Sequence, residues 1–313
     1  MIIQQLENKE FNDEMIWENI LKVYQQDKHV VFLLDKTLFE NFLVEQLPKF
    51  SHDEIAYIPI AQSTQKSPLY LLRLTKIEQL ESIRDDLVYF LKKNFDFRND
   101  CYVVCGFGRS ADELDVLAKH LRNTLVLNDQ GKKVYFRWFD PRVLVYLNII
   151  LDDERVASLL HSFDEWNFYH VSGVYLFSKE DRIAGEKFKK LQISPNESIN
   201  LDLIEVSNLA YQQAFNLMPD EHTRICPLKT LLAIQSAYHD YQITNYPDLI
   251  SYALYSWMIH PQFMQYKLTR ETLQQYWLNK AEVGSFTDAM NFLAESHWEK
   301  MKEDLLNKEY GYE

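Results

Sequence analysis

Glycine is scarce in this chain, at 7 of 313 residues, and cysteine is scarcer, at 3. So little glycine excludes collagen-like and linker-rich architectures. An odd number of cysteines in a long chain cannot form a disulfide framework, and a reducing compartment suits them. Basic residues are also short. Lys and Arg number 33 against 46 Asp and Glu, a formal net charge of -13, which repels phosphate backbones and anionic membranes and excludes nucleic acid as a partner. The acidic excess runs through both halves, so no basic tail is hidden in the average. No apolar run approaches the ~18 residues of a membrane span; even VLVYLNIIL is bounded by Pro-Arg and Asp-Asp. The opening residues, MIIQQLENKEFNDEMIW, lack the basic start and cleavage site of a secretory signal, and a cytoplasmic location is expected.

What is present is a large apolar fraction, 47%, with 25% charged residues, enough to bury a core and to build two lobes. In the first lobe the pattern alternates. A helix is expected over Phe11 to Gln26, strands at VVFLL (Val30 to Leu34), IAYIPI and SPLYLLRL, and a helix over FENFLVEQL. A helix over Ile77 to Lys92 and a strand at CYVVCGF follow. The next helix, SADELDVLAKHL, opens with Ser110 as N-cap and Glu113 as its capping-box partner. TLVLNDQGKKVYFRWF reads as a hairpin turning at Asn128 to Gly131, whose second strand, Val134 to Phe139, is apolar on both faces and belongs inside the sheet. Asp140 is a natural N-cap, Pro141 fits a first helical turn, and VLVYLNIIL continues as a helix. The polar stretch from Ser178 to Asn200 is the expected connector. Beyond it only helical spacing is found, over Leu201 to Phe215, Pro227 to Tyr241, Pro247 to Ile259, Thr269 to Lys280 and Phe286 to Leu306. The expected fold is a mixed α/β lobe over residues 1–177 and a helical lobe over residues 178–313.

Candidate chemistry is thin. CGFGRS places Gly106 and Gly108 after a strand but lacks the third glycine and the spaced acid of a dinucleotide site, so a tight strand-to-helix turn is expected instead. Cys101 and Cys105, four apart on a strand, read as core residues. The histidines are scattered, with no metal-ligand spacing, and neither a metal nor a cofactor is expected. Asp152, Asp153 and Glu154 are consecutive on a helix, where side chains diverge, so a solvated helix end is expected rather than paired acids.

The exception is KVYFRWFDPRVL. An arginine buried on a strand must be paired, and Asp35, which closes VVFLL, is the candidate partner of Arg137. Arg142 either satisfies local carbonyls or reaches another carboxylate. A lock between strand and helix is preferred over a catalytic group.

These residues carry a resemblance. VYFRWFDPRVL, preceded by AKHLRNTL and an NDQG turn, with Leu34-Asp35 and Ser67-Pro68-Leu69 upstream, resembles the N-terminal domain of type VI secretion effector chaperones, or adaptors, over roughly His29 to Phe168. Arg137, Trp138, Phe139, Asp140, Pro141 and Arg142 match the family's Arg, aromatic, Asp-Pro-Arg order, and Trp166 stands where the family often has tryptophan. The resemblance implies a non-enzymatic cytoplasmic adaptor that binds a toxic effector and helps load it onto the VgrG spike. The alternative is a small-molecule-binding or hydrolytic enzyme using a cleft between lobes. The helical lobe is rich in Tyr and Trp, which suits an interface. On the helix from Pro247 to Ile259, Leu249, Tyr252, Ala253 and Ser256 form one apolar side, while Leu254, Trp257 and Met258 lie toward another. Tyr252, Tyr255, Trp257 and Met258 are the candidate partner-binding residues.

Overall fold

The computed structural model describes residues 3–6, 12–35, 49–58, 69–96, 102–129, 131–179, 191–217, 226–278 and 284–309. The chain divides into two compact units, Met1–Ile199 and Asn200–Glu313. The first is mixed, built on an antiparallel sheet of seven strands, and the second is helical. No helix among the described residues is long and apolar enough to cross a membrane.

The sheet of the first unit contains β1 (Ile3–Gln5), β2 (Val30–Asp35), β3 (Ile55–Ile58), β4 (Leu69–Leu74), β5 (Val104–Arg109), β8 (Glu165–His170) and β9 (Gly173–Ser178). Its order is β1-β9-β8-β5-β2-β4-β3, with every neighbouring pair antiparallel. β2 is buried at all six positions, as its continuous apolar run requires of a strand covered on both faces. On one face Val30, Phe32 and Leu34 meet Leu72, Leu74, Phe107 and Tyr169. Two helices close over them: α1 (Asp13–Asp27), through Ile16, Trp17, Ile20 and Val23, and α3 (Arg84–Lys93), through Leu87, Val88 and Leu91. The helix expected as one piece over Ile77 to Lys92 is two, α2 (Ile77–Ser82) and α3, because Ile83 is buried at φ -118°, ψ 15°, outside the helical region.

The glycines of CGFGRS lie within β5 rather than in a turn. A Cβ at Gly106 would stand 2.6 Å from the Trp166 ring, and one at Gly108 would collide with the Glu165 carbonyl of β8. The missing side chains let the fully buried Trp166 cross its neighbouring strand. Cys105 is a buried free thiol, whereas Cys101, the helix expected at FENFLVEQL and most of the connector lie outside the described residues.

The expected strand Val134 to Phe139 is corrected. β6 (Val126–Asp129) and β7 (Lys132–Tyr135) form a separate two-stranded sheet, and β7 is exposed at all four positions. Arg137, Trp138 and Phe139 follow it in a turn. Their alternation imitated a strand because Phe136, Trp138 and Phe139 all turn into the core, with Trp138 Nε1 donating to Thr124 Oγ1 at 2.9 Å. The expected Ser110 cap is also overturned. The helix α4 (Leu114–Thr124) begins after Glu113 without a side-chain cap, and Ser110 Oγ donates to the Ser162 carbonyl at 2.6 Å instead. VLVYLNIIL forms two single turns, α5 (Pro141–Leu144) and α6 (Leu147–Ile150), rather than one helix. Asp152 caps α7 (Asp153–Leu159) and accepts from the Arg155 amide, a helix start where a helix end was expected.

The second unit holds most of α8 (Pro195–Leu217), then α9 (Pro227–His239), α10 (Tyr246–Met258), α11 (Lys267–Leu278), α12 (Phe286–Met290) and α13 (Glu295–Glu309). The last two were expected as one helix. The start of α12 is fixed by buried Asp248 of α10, which accepts from the Phe286 and Thr287 amides at 3.1 and 3.0 Å and from Thr287 Oγ1 at 2.9 Å. Orphan amides of a helix start are thus satisfied across the bundle.

Gly108→Ala is expected to destabilise the first unit by about 1–3 kcal/mol or more, because a backbone carbonyl blocks the new methyl. Urea unfolding of the variant beside the parent measures it, and an unchanged midpoint contradicts the packing described.

Candidate functional site

Antiparallel register brings the end of β2, the start of β5 and the end of β8 to one end of the sheet. Asp35, Tyr102, Cys105 and His170 are therefore neighbours there, and the turn from Arg137 to Arg142 descends onto them. Arg137 Nη2 lies 2.9 Å from Asp35 Oδ2 and 3.4 Å from Asp140 Oδ2. Arg142 grips Asp140 with both arms of its guanidinium, Nη2 to Oδ2 at 2.8 Å and Nε to Oδ1 at 3.1 Å, while its amide donates to Oδ1 at 3.0 Å. Asp140 is thus both the cap of α5 and the carboxylate shared by two arginines, and Pro141 presets the first helical turn.

The expected Arg137–Asp35 pair is present, but two expectations are revised. Arg137 sits on a turn, and its side chain is 38% exposed, whereas both carboxylates are nearly inaccessible. The acids are the buried partners and the arginines their covers. Each arginine also lies over an aromatic ring, Arg137 over Phe139 at 5.7 Å and Arg142 over Tyr102 at 5.1 Å.

The electrostatics follow from burial. Desolvation would raise the Asp140 carboxyl, but the hydrogen bond and charge of Arg142, with the charge of Arg137, outweigh it and hold Asp140 below the usual carboxylate range. Burial pushes the Cys105 thiol well up, and Asp35 and Asp140 add to the effect, so the thiol is not a nucleophile at neutral pH. Burial pushes His170 down to about 3, against the pull of Asp140 and with the help of Arg142. Its neutral ring packs parallel to Tyr102 at 6.4 Å, and Nδ1 accepts from the Ser172 amide at 3.2 Å.

A second polar cluster gathers Ser162, His120, His161 and Asp112. Ser162 Oγ lies 3.0 Å and Asp112 Oδ2 3.3 Å from the same atom, His120 Nδ1. A proton relay needs the hydroxyl and the carboxylate on opposite ring nitrogens, which His120 does not provide; His161 places Nε2 3.3 Å from Ser162 Oγ and Nδ1 2.9 Å from the Ser158 carbonyl, and the cluster joins α4 to the end of α7. Among the described residues no group of three or more metal-ligating side chains converges.

Of the candidate partner-binding residues, Tyr252 is buried and packs on Phe263 at 4.9 Å. Tyr255, half-buried, stacks on half-buried Trp298 at 4.8 Å with its ring tilted only 11°, so both tyrosines pack among the aromatics of the second unit. Trp257 is half-buried, and Met258, one turn on from Tyr255, is exposed. Sequence reasoning missed His170 and Asp248, because nothing local marks a buried polar residue whose partners come from distant segments.

A family model described as "Domain of unknown function (DUF4123)" matches residues 66–158. The match is less than one third of the chain and spans β4 through most of α7, including Arg137, Asp140 and Arg142 but not Asp35. This family is associated with type VI secretion effector adaptors. No curated protein and no solved structure matches the chain.

Asp140→Ala is expected to lower the unfolding free energy by about 3 kcal/mol, the lower end for breaking a buried pair because both arginines keep some solvent. Asp140→Asn keeps the cap without the charge and should lose less, which chemical denaturation of the two variants distinguishes. Stability should also depend on His170. The unfolded chain takes up a proton near pH 6.5 that the folded ring refuses until about pH 3. Its contribution is therefore complete above pH 6.5 and is lost on acidification, about 2 kcal/mol by pH 5 at 1.36 kcal/mol per unit. His170→Gln should flatten that slope in thermal melts between pH 7 and 5.

Proposed function

We propose that this chain is a type VI secretion effector adaptor, which binds a toxic effector in the cytoplasm and assists its loading onto the VgrG spike without catalysing a reaction. The observation that carries the reading is the coincidence of the DUF4123 match with the Arg137, Asp140 and Arg142 lock. The matched stretch is the part of the first unit whose buried charges fix a turn and helix to the end of the sheet. A rigid turn on a sheet suits a binding scaffold, since interface groups held in place lose little entropy on association. The Ser162–His120–Asp112 geometry offers a hydrolase no relay. In this reading Trp257 and Met258, at the end of α10, contact the effector, while Tyr252 and Tyr255 pack the helix against its neighbours.

The test is affinity purification of the tagged chain from its native cells, with mass identification of what accompanies it. A VgrG spike protein, or an effector encoded beside one, is the expected companion. Trp257→Ala combined with Met258→Ala should reduce effector recovery while the circular dichroism of the folded chain is kept, at a stability cost of about 1 kcal/mol for the half-buried Trp257. Absence of both companions from cells that assemble the apparatus contradicts the adaptor reading.

A further inference from the structure

Among the described residues, the β6–β7 hairpin has one strand edge with no neighbouring strand. The far side of β6 carries a bridge from Asn128 to Gln192, whereas β7 borders only β6. The facing pairs are Val126 with Tyr135, Leu127 with Val134, Asn128 with Lys133 and Asp129 with Lys132. Just beyond them the Phe136 amide donates to the Leu125 carbonyl at 2.9 Å. Bonded and non-bonded pairs alternate in an antiparallel ladder, so Val134 and Lys132 turn their backbone groups toward β6, while Lys133 and Tyr135 turn theirs away. No described residue bonds to these outward groups of Lys133 and Tyr135. Among the described residues, two donors and two acceptors thus have no backbone partner along a short edge.

The side chains say what the edge accepts. Lys132 and Val134 lie on one face of β7, Lys133 and Tyr135 on the other, so each face offers a cation followed by an apolar group. Neither lysine has a carboxylate within 4.0 Å among the described residues. Val134 and Tyr135 are 43% and 40% exposed. Lysine on an open edge also guards against self-pairing. Two copies joined back to back would gather four ammonium groups in one short seam, where like charges destabilise. The same charges that turn away a second copy favour an anionic strand.

We infer that the β7 edge binds an extended acidic segment of a partner protein by adding it as an antiparallel third strand. Opposite Tyr135, Val134, Lys133 and Lys132, such a segment reads, from its amino end, apolar, apolar, acidic, acidic. Backbone bonds to Lys133 and Tyr135 supply attachment and the two lysines supply selectivity. The inference rests on the adaptor reading only for which protein carries the segment; the edge itself does not depend on it.

The experiment uses the full chain and the peptide acetyl-Thr-Val-Ile-Asp-Glu-Thr-amide, with a control in which Lys-Lys replaces Asp-Glu. Titration followed by amide NMR should show saturable binding of the acidic peptide and slower hydrogen exchange at the Lys133 and Tyr135 amides. Binding should weaken about tenfold or more in Lys132→Glu/Lys133→Glu, and more salt should weaken it in the parent. Lys133→Pro removes one outward donor while sparing the bonds to β6, and should lose the peptide while its hairpin shifts persist. Unslowed exchange at Lys133 and Tyr135, or equal affinity for both peptides, overturns the inference even if effector and spike still co-purify. Peptide binding as described sustains it even if they do not.

Discussion

Asp140 is the constraint around which the first unit is organised. A carboxylate this deeply buried is tolerable only when its charge is met and its lone pairs are filled. Arg142 does most of this from two residues away, so part of the compensation is local and independent of the rest of the fold. Arg137 extends it, because the same guanidinium also reaches Asp35 at the end of a central strand. Two acids and two bases make a neutral set, and the neutrality reaches further: His170 stays uncharged beside them, and the Cys105 thiol stays protonated. The turn is held against the sheet by charges that have nowhere else to go.

Much of this was legible because it is local chemistry. Asp140 as cap, Pro141 in the first turn and the first four helices of the second unit follow from short-range rules that tertiary structure did not override. The Arg137–Asp35 pair was legible for another reason: a buried guanidinium demands a carboxylate, and the chain offers few apolar strands that end in one. What misled was also physical. Phe136, Trp138 and Phe139 share the core without sharing a strand, since a turn can point consecutive aromatics inward. Gly106 and Gly108 looked like a bend because their causes, the Trp166 ring and the Glu165 carbonyl on another strand, are invisible in the neighbouring residues. β8 and β9 were not anticipated at all. Ser110 bonds a distant carbonyl rather than its own helix, and Asp248 caps a helix far along the chain.

The two units are each held together by different means. The first is a sheet pinned by buried charge, with a hairpin whose second strand borders only the first among the described residues. The second is a bundle whose tyrosines and tryptophan are largely spent on one another, around Tyr255 and Trp298. Aromatic abundance in a sequence is therefore a poor count of interface residues. Here most of it packs within the bundle, and the aromatics of this unit left well exposed among the described residues are Tyr246 and Phe292.

The strand order has a kinetic side. β2 lies between β4 and β5, β5 pairs with β8, and β9 pairs with β1. Each closure joins segments far apart in the chain, so the sheet is rich in non-local pairings, which slow folding. At ribosomal rates of about 5–20 residues per second, β2 emerges several seconds before β5. During that interval VVFLLD is an apolar strand with an unpaired edge, and Asp35 is a carboxylate still in water. Arg137, arriving later still, retires the last charge on that strand into the fold.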